Sequence, residues 1–148
     1  MNLQPSEEAY SGADTEWRSP RPKVLVVDDE PLVLSAVFEM LERSGYHVVS
    51  ARSAEEAVAK MLFERFDIVL TDYRLGAKGG DFVALTARQS IPPLPVVIMT
   101  GLIEELPEWL RGGSLSVPII RKPFRLADLL MVLDCAIMET EVAASLPN

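Results

Sequence analysis

From Lys23 onward the chain alternates between two kinds of segment. The first is a short, almost wholly apolar run rich in β-branched residues, the pattern of a strand buried on both faces. KVLVVD (23–28), YHVVSA (46–51), FDIVLTD (66–72), VVIMT (96–100) and VPII (117–120) are of this kind. The second is longer and repeats its apolar positions at helical spacing. Pro31 suits the first turn of a helix running through about Ser44, and Gly45 stands where that helix should end. SAEEAVAKMLFER opens with Ser53 and Glu56 in capping-box spacing. Further helices are expected from about Asp81 to Gln89, within EELPEWLRGG with an interruption near Pro107, and from Arg125 to about Glu141. Five strand–helix units in succession predict an α/β fold, with helices on both faces of a five-stranded parallel sheet.

The ends of the chain read differently. Residues 1–22 mix Pro, Ser, Gly and acids without periodicity and close in RSPRP, so a flexible tail is expected there. Trp17 is the exception, a ring able to pack on the domain or on a partner. The domain is expected over 23–141, with a short C-terminal tail at 142–148.

Composition narrows the function classes. The chain has 148 residues, enough for one domain with a proper core, and 49% of them are hydrophobic. A net charge of −8 argues against a nucleic-acid partner, because phosphate binding needs a basic face. The single cysteine, Cys135, has no partner for an internal disulfide, and the single histidine, His47, cannot complete a zinc site with it. No apolar run approaches the length of a membrane span, and the acidic N-terminus lacks a signal-peptide pattern. A cytoplasmic, membrane-free setting is expected.

In a doubly wound parallel sheet the functional crevice lies beyond the carboxyl ends of the strands. The first strand ends in Asp28 and Asp29, the third in Asp72, the fourth in Thr100 and the fifth in Lys122. In the flavodoxin-like order 2-1-3-4-5 the first and third strands are neighbours, which gathers three carboxylates at one place. Such a cluster calls for a hard cation or a nearby ammonium group. Mg²⁺ favours oxygen ligands, and Lys122 supplies the ammonium as a point charge. Taken singly, these residues read as a turn former, a strand threonine and a surface lysine; their joint placement is the signal.

VLVVDDEP, IVLTDYRL, VVIMTG and IIRKPF, in this order and spacing, resemble the signatures of response-regulator receiver domains. The resemblance covers about Lys23 to Glu141. It implies that Asp72 is the phosphoacceptor, a carboxylate nucleophile taking phosphoryl from a phosphohistidine or a small donor. It implies Mg²⁺ held by Asp29 directly, Asp28 through water, Asp72, and the backbone carbonyl of Arg74. It also implies that Thr100 binds a phosphoryl oxygen and moves with it, that Gly101 leaves room for the donor, that Lys122 neutralises phosphoryl charge, and that Lys122–Pro123 is a cis peptide.

Two positions depart from the family pattern. Gly76 stands where a proline is familiar, four residues after the phosphoacceptor, and Ile119 replaces the aromatic switch residue three before Lys122. The cationic Arg74 sits at a position that tunes hydrolysis in the family.

Surfaces should carry the output, since no output domain follows in this sequence. On the first helix Val33, Ala36, Val37, Met40 and Leu41 are expected on the core face. Leu34 and Phe38, four apart, either dock a histidine kinase or phosphotransfer protein or complete the packing. On the last helix Leu126, Leu129, Leu130, Leu133 and Ile137 form the stripe expected on the sheet. Met131, Cys135, Met138 and Val142 form a second stripe, expected to be a homodimer or partner interface. The sequence therefore reads as a stand-alone, Mg²⁺-dependent phosphoacceptor that is a signalling domain and not an enzyme. The alternative is a phosphorylation-independent receiver-like interaction module; an aspartate-nucleophile phosphatase fits less well, because its Asp-x-Asp would follow the first strand.

Overall fold

Strand pairing in the computed structural model follows the apolar runs. The structure describes residues 21–111 and 117–145. Five parallel strands, β1 (Lys23–Val27), β2 (His47–Ala51), β3 (Ile68–Asp72), β4 (Val96–Thr100) and β5 (Ile119–Arg121), lie in the order β2-β1-β3-β4-β5. Between and after them run α1 (Pro31–Arg43), α2 (Ala54–Phe63), α3 (Gly80–Gln89), α4 (Glu108–Arg111) and α5 (Leu126–Ser145). This is the flavodoxin-like doubly wound sheet that the alternation predicts. EELPEWLRGG divides at Pro107 into a 3₁₀ helix, Ile103–Glu105, and the single turn of α4.

Local chemistry sets the boundaries. The Glu56 amide donates to Ser53 Oγ at 3.0 Å, and the Arg52 amide donates to Glu56 Oε1 at 2.8 Å, so both first-turn partners of the expected cap are engaged. Gly45, just past α1, takes φ +97°, a left-handed conformation that side chains resist. Strand residues alternate between two cores. Val24 and Val26 join α1 and α5 on one face, while Leu25 and Val27 join α2, α3 and Leu110 of α4 on the other. The Tyr46 hydroxyl, just ahead of β2, donates to Asp134 Oδ1 on α5 at 2.7 Å.

Three expectations need correction. On α1 the core face is Leu34, Val37 and Leu41, with Val33 and Met40 half-buried, and Ala36 is exposed. Leu34, 7% exposed, is therefore a core residue and not a docking residue; Phe38, 38% exposed, faces outward. On α5 the sheet-facing stripe is Leu129, Leu133 and Ala136, flanked by half-buried Leu130 and Ile137, while Leu126 at the helix start is exposed. The C-terminal tail is shorter than expected, because α5 continues to Ser145: residues 141–145 contain no Gly or Pro to stop it. Most of the N-terminal tail, with Trp17, lies outside the described residues.

Candidate functional site

The strand ends converge as the topology requires. Asp28 follows β1, Asp72 closes β3, and Lys122 follows β5, held in place by its amide donating to the Thr100 carbonyl at 2.7 Å. Among the described residues one carboxylate cluster stands out as able to hold a metal. Asp28, Asp29 and Asp72 each offer an oxygen within 4.8 Å of the others. The Lys122 ammonium bridges two of them, with Nζ 3.2 Å from Asp28 Oδ2 and 3.1 Å from Asp72 Oδ1.

Burial divides the three acids. Asp28 is fully buried, and both its oxygens are engaged: Oδ1 accepts from the Glu30 amide at 2.9 Å and Oδ2 from Lys122. Asp29 is exposed, and Asp72 is buried with its carboxylate at the rim. Burial pushes the Asp72 carboxyl above its usual range; Lys122 opposes that shift, and the Asp28 charge adds to it. For Lys122, burial favours the neutral amine, but the facing carboxylates of Asp72 and Asp28 win and raise its pKa. The lysine is therefore held charged, with 23% of its side chain exposed.

The cluster gathers three carboxylates and one ammonium, a formal excess of two negative charges (three minus one). An all-oxygen donor set with that excess fits a small, hard divalent cation.

The remaining expected residues surround this cluster. Thr100 is buried at the end of β4, where its hydroxyl accepts from the Leu102 amide at 3.1 Å and reaches the Leu102 carbonyl at 3.3 Å. Gly101 is exposed, with open space where a side chain would project. The Lys122–Pro123 peptide is cis. The Arg74 side chain turns from the cluster to the 3₁₀ helix, pairing through Nε and Nη2 with Glu105 Oε1. Met131, Cys135, Met138 and Val142 lie exposed on α5, away from its core stripe. A groove of about 490 Å³ lies at another place, lined by Pro93, Pro95, Pro118 and Ala136 where β4 and β5 begin.

Two residues of the site escaped the sequence reading. Gly80, the first residue of α3, presses on β3: an added Cβ would stand 2.4 Å from the Asp72 carbonyl oxygen. Its place in GAKGG was the only signal. Glu105 carried none, since its partner lies 31 residues away.

The comparisons with known proteins agree with this geometry. A family model described as the response regulator receiver domain matches residues 24–134. The chain belongs to the response-regulator receiver family. It is 31% identical over 122 residues to the alkaline phosphatase synthesis transcriptional regulatory protein PhoP of Bacillus subtilis (strain 168), covering 82% of this chain and 51% of that protein. It is 32% identical over 128 residues to the transcriptional regulatory protein ZraR of Salmonella typhimurium, covering 84% of this chain and 29% of that protein. This receiver thus spans about half, or under a third, of these relatives' lengths. Among solved structures it resembles a CheY-like response regulator receiver domain protein from Methanospirillum hungatei, with TM-score 0.73 and 29% identity over 83% of this chain and 98% of that one. The chemotaxis response regulator CheY4 of Vibrio cholerae superposes with TM-score 0.68 at 26% identity, over 78% of this chain and 98% of that one. Receivers are signalling domains of two-component systems; they interact with histidine kinases or phosphotransfer proteins and usually bind Mg²⁺ at an acidic pocket. Among the described residues no helix of this receiver is long and apolar enough to cross a membrane.

Proposed function

We propose that this receiver is a phosphoacceptor in two-component or phosphorelay signalling, with Asp72 as its nucleophile, and that it signals by protein–protein contact. The observation that carries this reading is the Lys122 ammonium placed 3.1 Å from Asp72 and 3.2 Å from Asp28, at the edge where the strands end. An Asp72 carboxylate oxygen attacks the phosphorus of a phosphohistidine. The P–O bond forms as the P–N bond breaks, and the departing imidazole takes up a proton. Phosphoryl transfer asks mostly for positioning and charge neutralisation. Lys122 holds a positive charge where the phosphoryl oxygens arrive, and Asp28 fixes Lys122 from below. The Thr100 hydroxyl is available to the phosphoryl group once it leaves Leu102, and the open space at Gly101 admits the donor. Asp29, Asp72, the Arg74 carbonyl and, through water, Asp28 would hold Mg²⁺, which would supply further neutralisation of the phosphoryl charge. Because Asp72 is itself the group modified, the chain acts as a signalling domain and not as an enzyme.

The donor is a histidine kinase or histidine phosphotransfer protein, and exposed Phe38 on α1 is its contact point. The exposed Met131, Cys135, Met138 and Val142 face of α5 serves a second copy or a downstream protein. A net charge of −8 disfavours direct nucleic-acid binding, and the free Cys135 thiol fits a reducing cytoplasm.

One observation favours a second reading, a phosphorylation-independent interaction module. Ile119 packs half-buried against the core under α2 and α3, so no aromatic ring follows Thr100 there. Intact mass after incubation with acetyl phosphate, with and without Mg²⁺, separates the two. A Mg²⁺-dependent phosphoryl adduct that is absent from Asp72→Asn is expected. No adduct from either acetyl phosphate or a phosphohistidine donor would overturn the phosphoacceptor reading and favour the second.

A further inference from the structure

Receivers need a route from the modified aspartate to the outside, and the usual aromatic residue is replaced here by Ile119. The structure offers another route. Segment 102–105, which carries the 3₁₀ helix, is tied to the site at both ends. At its start, the Leu102 amide donates to the Thr100 hydroxyl at 3.1 Å. At its end, Glu105 accepts from the Arg74 guanidinium. Arg74 lies two residues beyond Asp72, and its side chain is 75% exposed while that of Glu105 is only 20% exposed. At rest this guanidinium, on a residue two positions from the group to be phosphorylated, is paired with Glu105.

Phosphorylation changes the balance. A phosphoryl group carries about two negative charges and three strong acceptor oxygens, which a guanidinium fork matches in pairs. Glu105 offers one charge, at an exposed pair of modest strength. Its neighbour Glu104 is 3.9 Å from Arg121 Nη2, a contact too long to replace the lost one.

We propose that Arg74 and Glu105 form a charge-operated latch. At rest Glu105 holds the guanidinium and, with it, the 3₁₀ helix; a phosphoryl group on Asp72 takes the guanidinium and frees the segment bearing exposed Leu102. Arg74 then contacts the phosphoryl group, and Glu105 acts as a positioning residue through Arg74. The trigger rests on the phosphoacceptor reading; the latch itself is a property of the resting chain.

Amide hydrogen exchange of the full-length protein, read on Leu102, Glu105 and Leu106, tests it. All three amides are bonded within the segment or to Thr100. At rest, Glu105→Gln and Arg74→Gln should each speed their exchange about two- to fivefold, the effect of losing one partly exposed ion pair. The double variant Arg74→Glu with Glu105→Arg should return it toward wild type, which a merely structural role for either residue would not produce. Acetyl phosphate with Mg²⁺ should speed exchange in the wild type and add little in Glu105→Gln. Resting exchange unchanged in the single variants, or no rescue in the double variant, overturns the latch. So does unchanged exchange in wild-type protein whose intact mass shows the adduct. A missing adduct instead overturns the phosphoacceptor reading, and the trigger with it, whatever the resting comparison gives.

Discussion

Replacing Gly80 by alanine should damage both fold and chemistry, because of where one methyl group must go. The new Cβ would lie 2.4 Å from the Asp72 carbonyl oxygen, 2.9 Å from Tyr73 Cα and 3.1 Å from the Asp72 carbonyl carbon. Non-bonded contacts relax at roughly 3.5 Å, so α3 and the end of β3 must part by about 1 Å. All three atoms are backbone, and the Gly80 amide already binds the Tyr73 carbonyl at 2.7 Å, so no rotamer change relieves the clash. Overpacking of this kind costs about 3 kcal/mol at the upper end of the usual range. Alanine returns up to about 1 kcal/mol through its better helix propensity. The net loss is about 2 kcal/mol, which for a domain of this size lowers Tm by roughly 7 °C. Thermal unfolding by circular dichroism reads the first effect. The rate of adduct formation from acetyl phosphate, followed by intact mass well below Tm, reads the second and should fall as Asp72 is displaced. Gly101→Ala is the control for the thermal measurement alone, since nothing lies within 4 Å of its added Cβ. A Gly80→Ala protein with wild-type Tm and wild-type phosphorylation would refute the close-approach argument.

Three other outcomes follow from the site and its surroundings. Lys122→Ala strips the cation from two buried carboxylates and should cost about 3 kcal/mol in metal-free urea denaturation at neutral pH, the low end for a broken buried pair because Lys122 is partly exposed. A wild-type urea midpoint would contradict that. Asp72 titrates above its unfolded value, so folding favours its protonated form. The stability it contributes is present at low pH and is lost as pH rises through the folded pKa. With chelator present, Asp72→Asn should therefore gain more Tm over wild type at neutral pH than near roughly pH 4; an equal or reversed gain would contradict the shift. Tyr46→Phe removes the 2.7 Å bond to Asp134, and should lower stability by about 1–2 kcal/mol in urea while leaving phosphorylation unchanged.

What the sequence shows about this site, and what it hides, has a physical boundary. Asp28, Asp72, Thr100 and Lys122 were legible because strands of period two, buried on both faces, deliver their last residues to one edge, and the order of the sheet brings those ends together. The faces of α1 were not. Leu32, Val33, Leu34, Ala36, Val37, Phe38, Met40 and Leu41 are all apolar, and two stripes at helical spacing can be drawn through them. Only packing against β1 and α5 selects Leu34 over Ala36. The Arg74–Glu105 pair was invisible for a different reason: it joins a loop to the 3₁₀ helix, and their separation depends on the closed fold. The end of α5 was missed because an exposed last turn needs only local propensity to persist.

The close seat of Gly80 on Asp72 also bears on how this receiver can be re-engineered. At Gly80 one flank of the site leaves no room for a side chain, so a change there strikes the acid cluster and the fold together. The other flank is a 3₁₀ helix and a single helical turn, where the side chains of Leu102, Glu104 and Trp109 are exposed. Side chains can be exchanged on that second flank while the acid cluster and its lysine stay as they are, which separates the surface the domain presents from the cluster it houses.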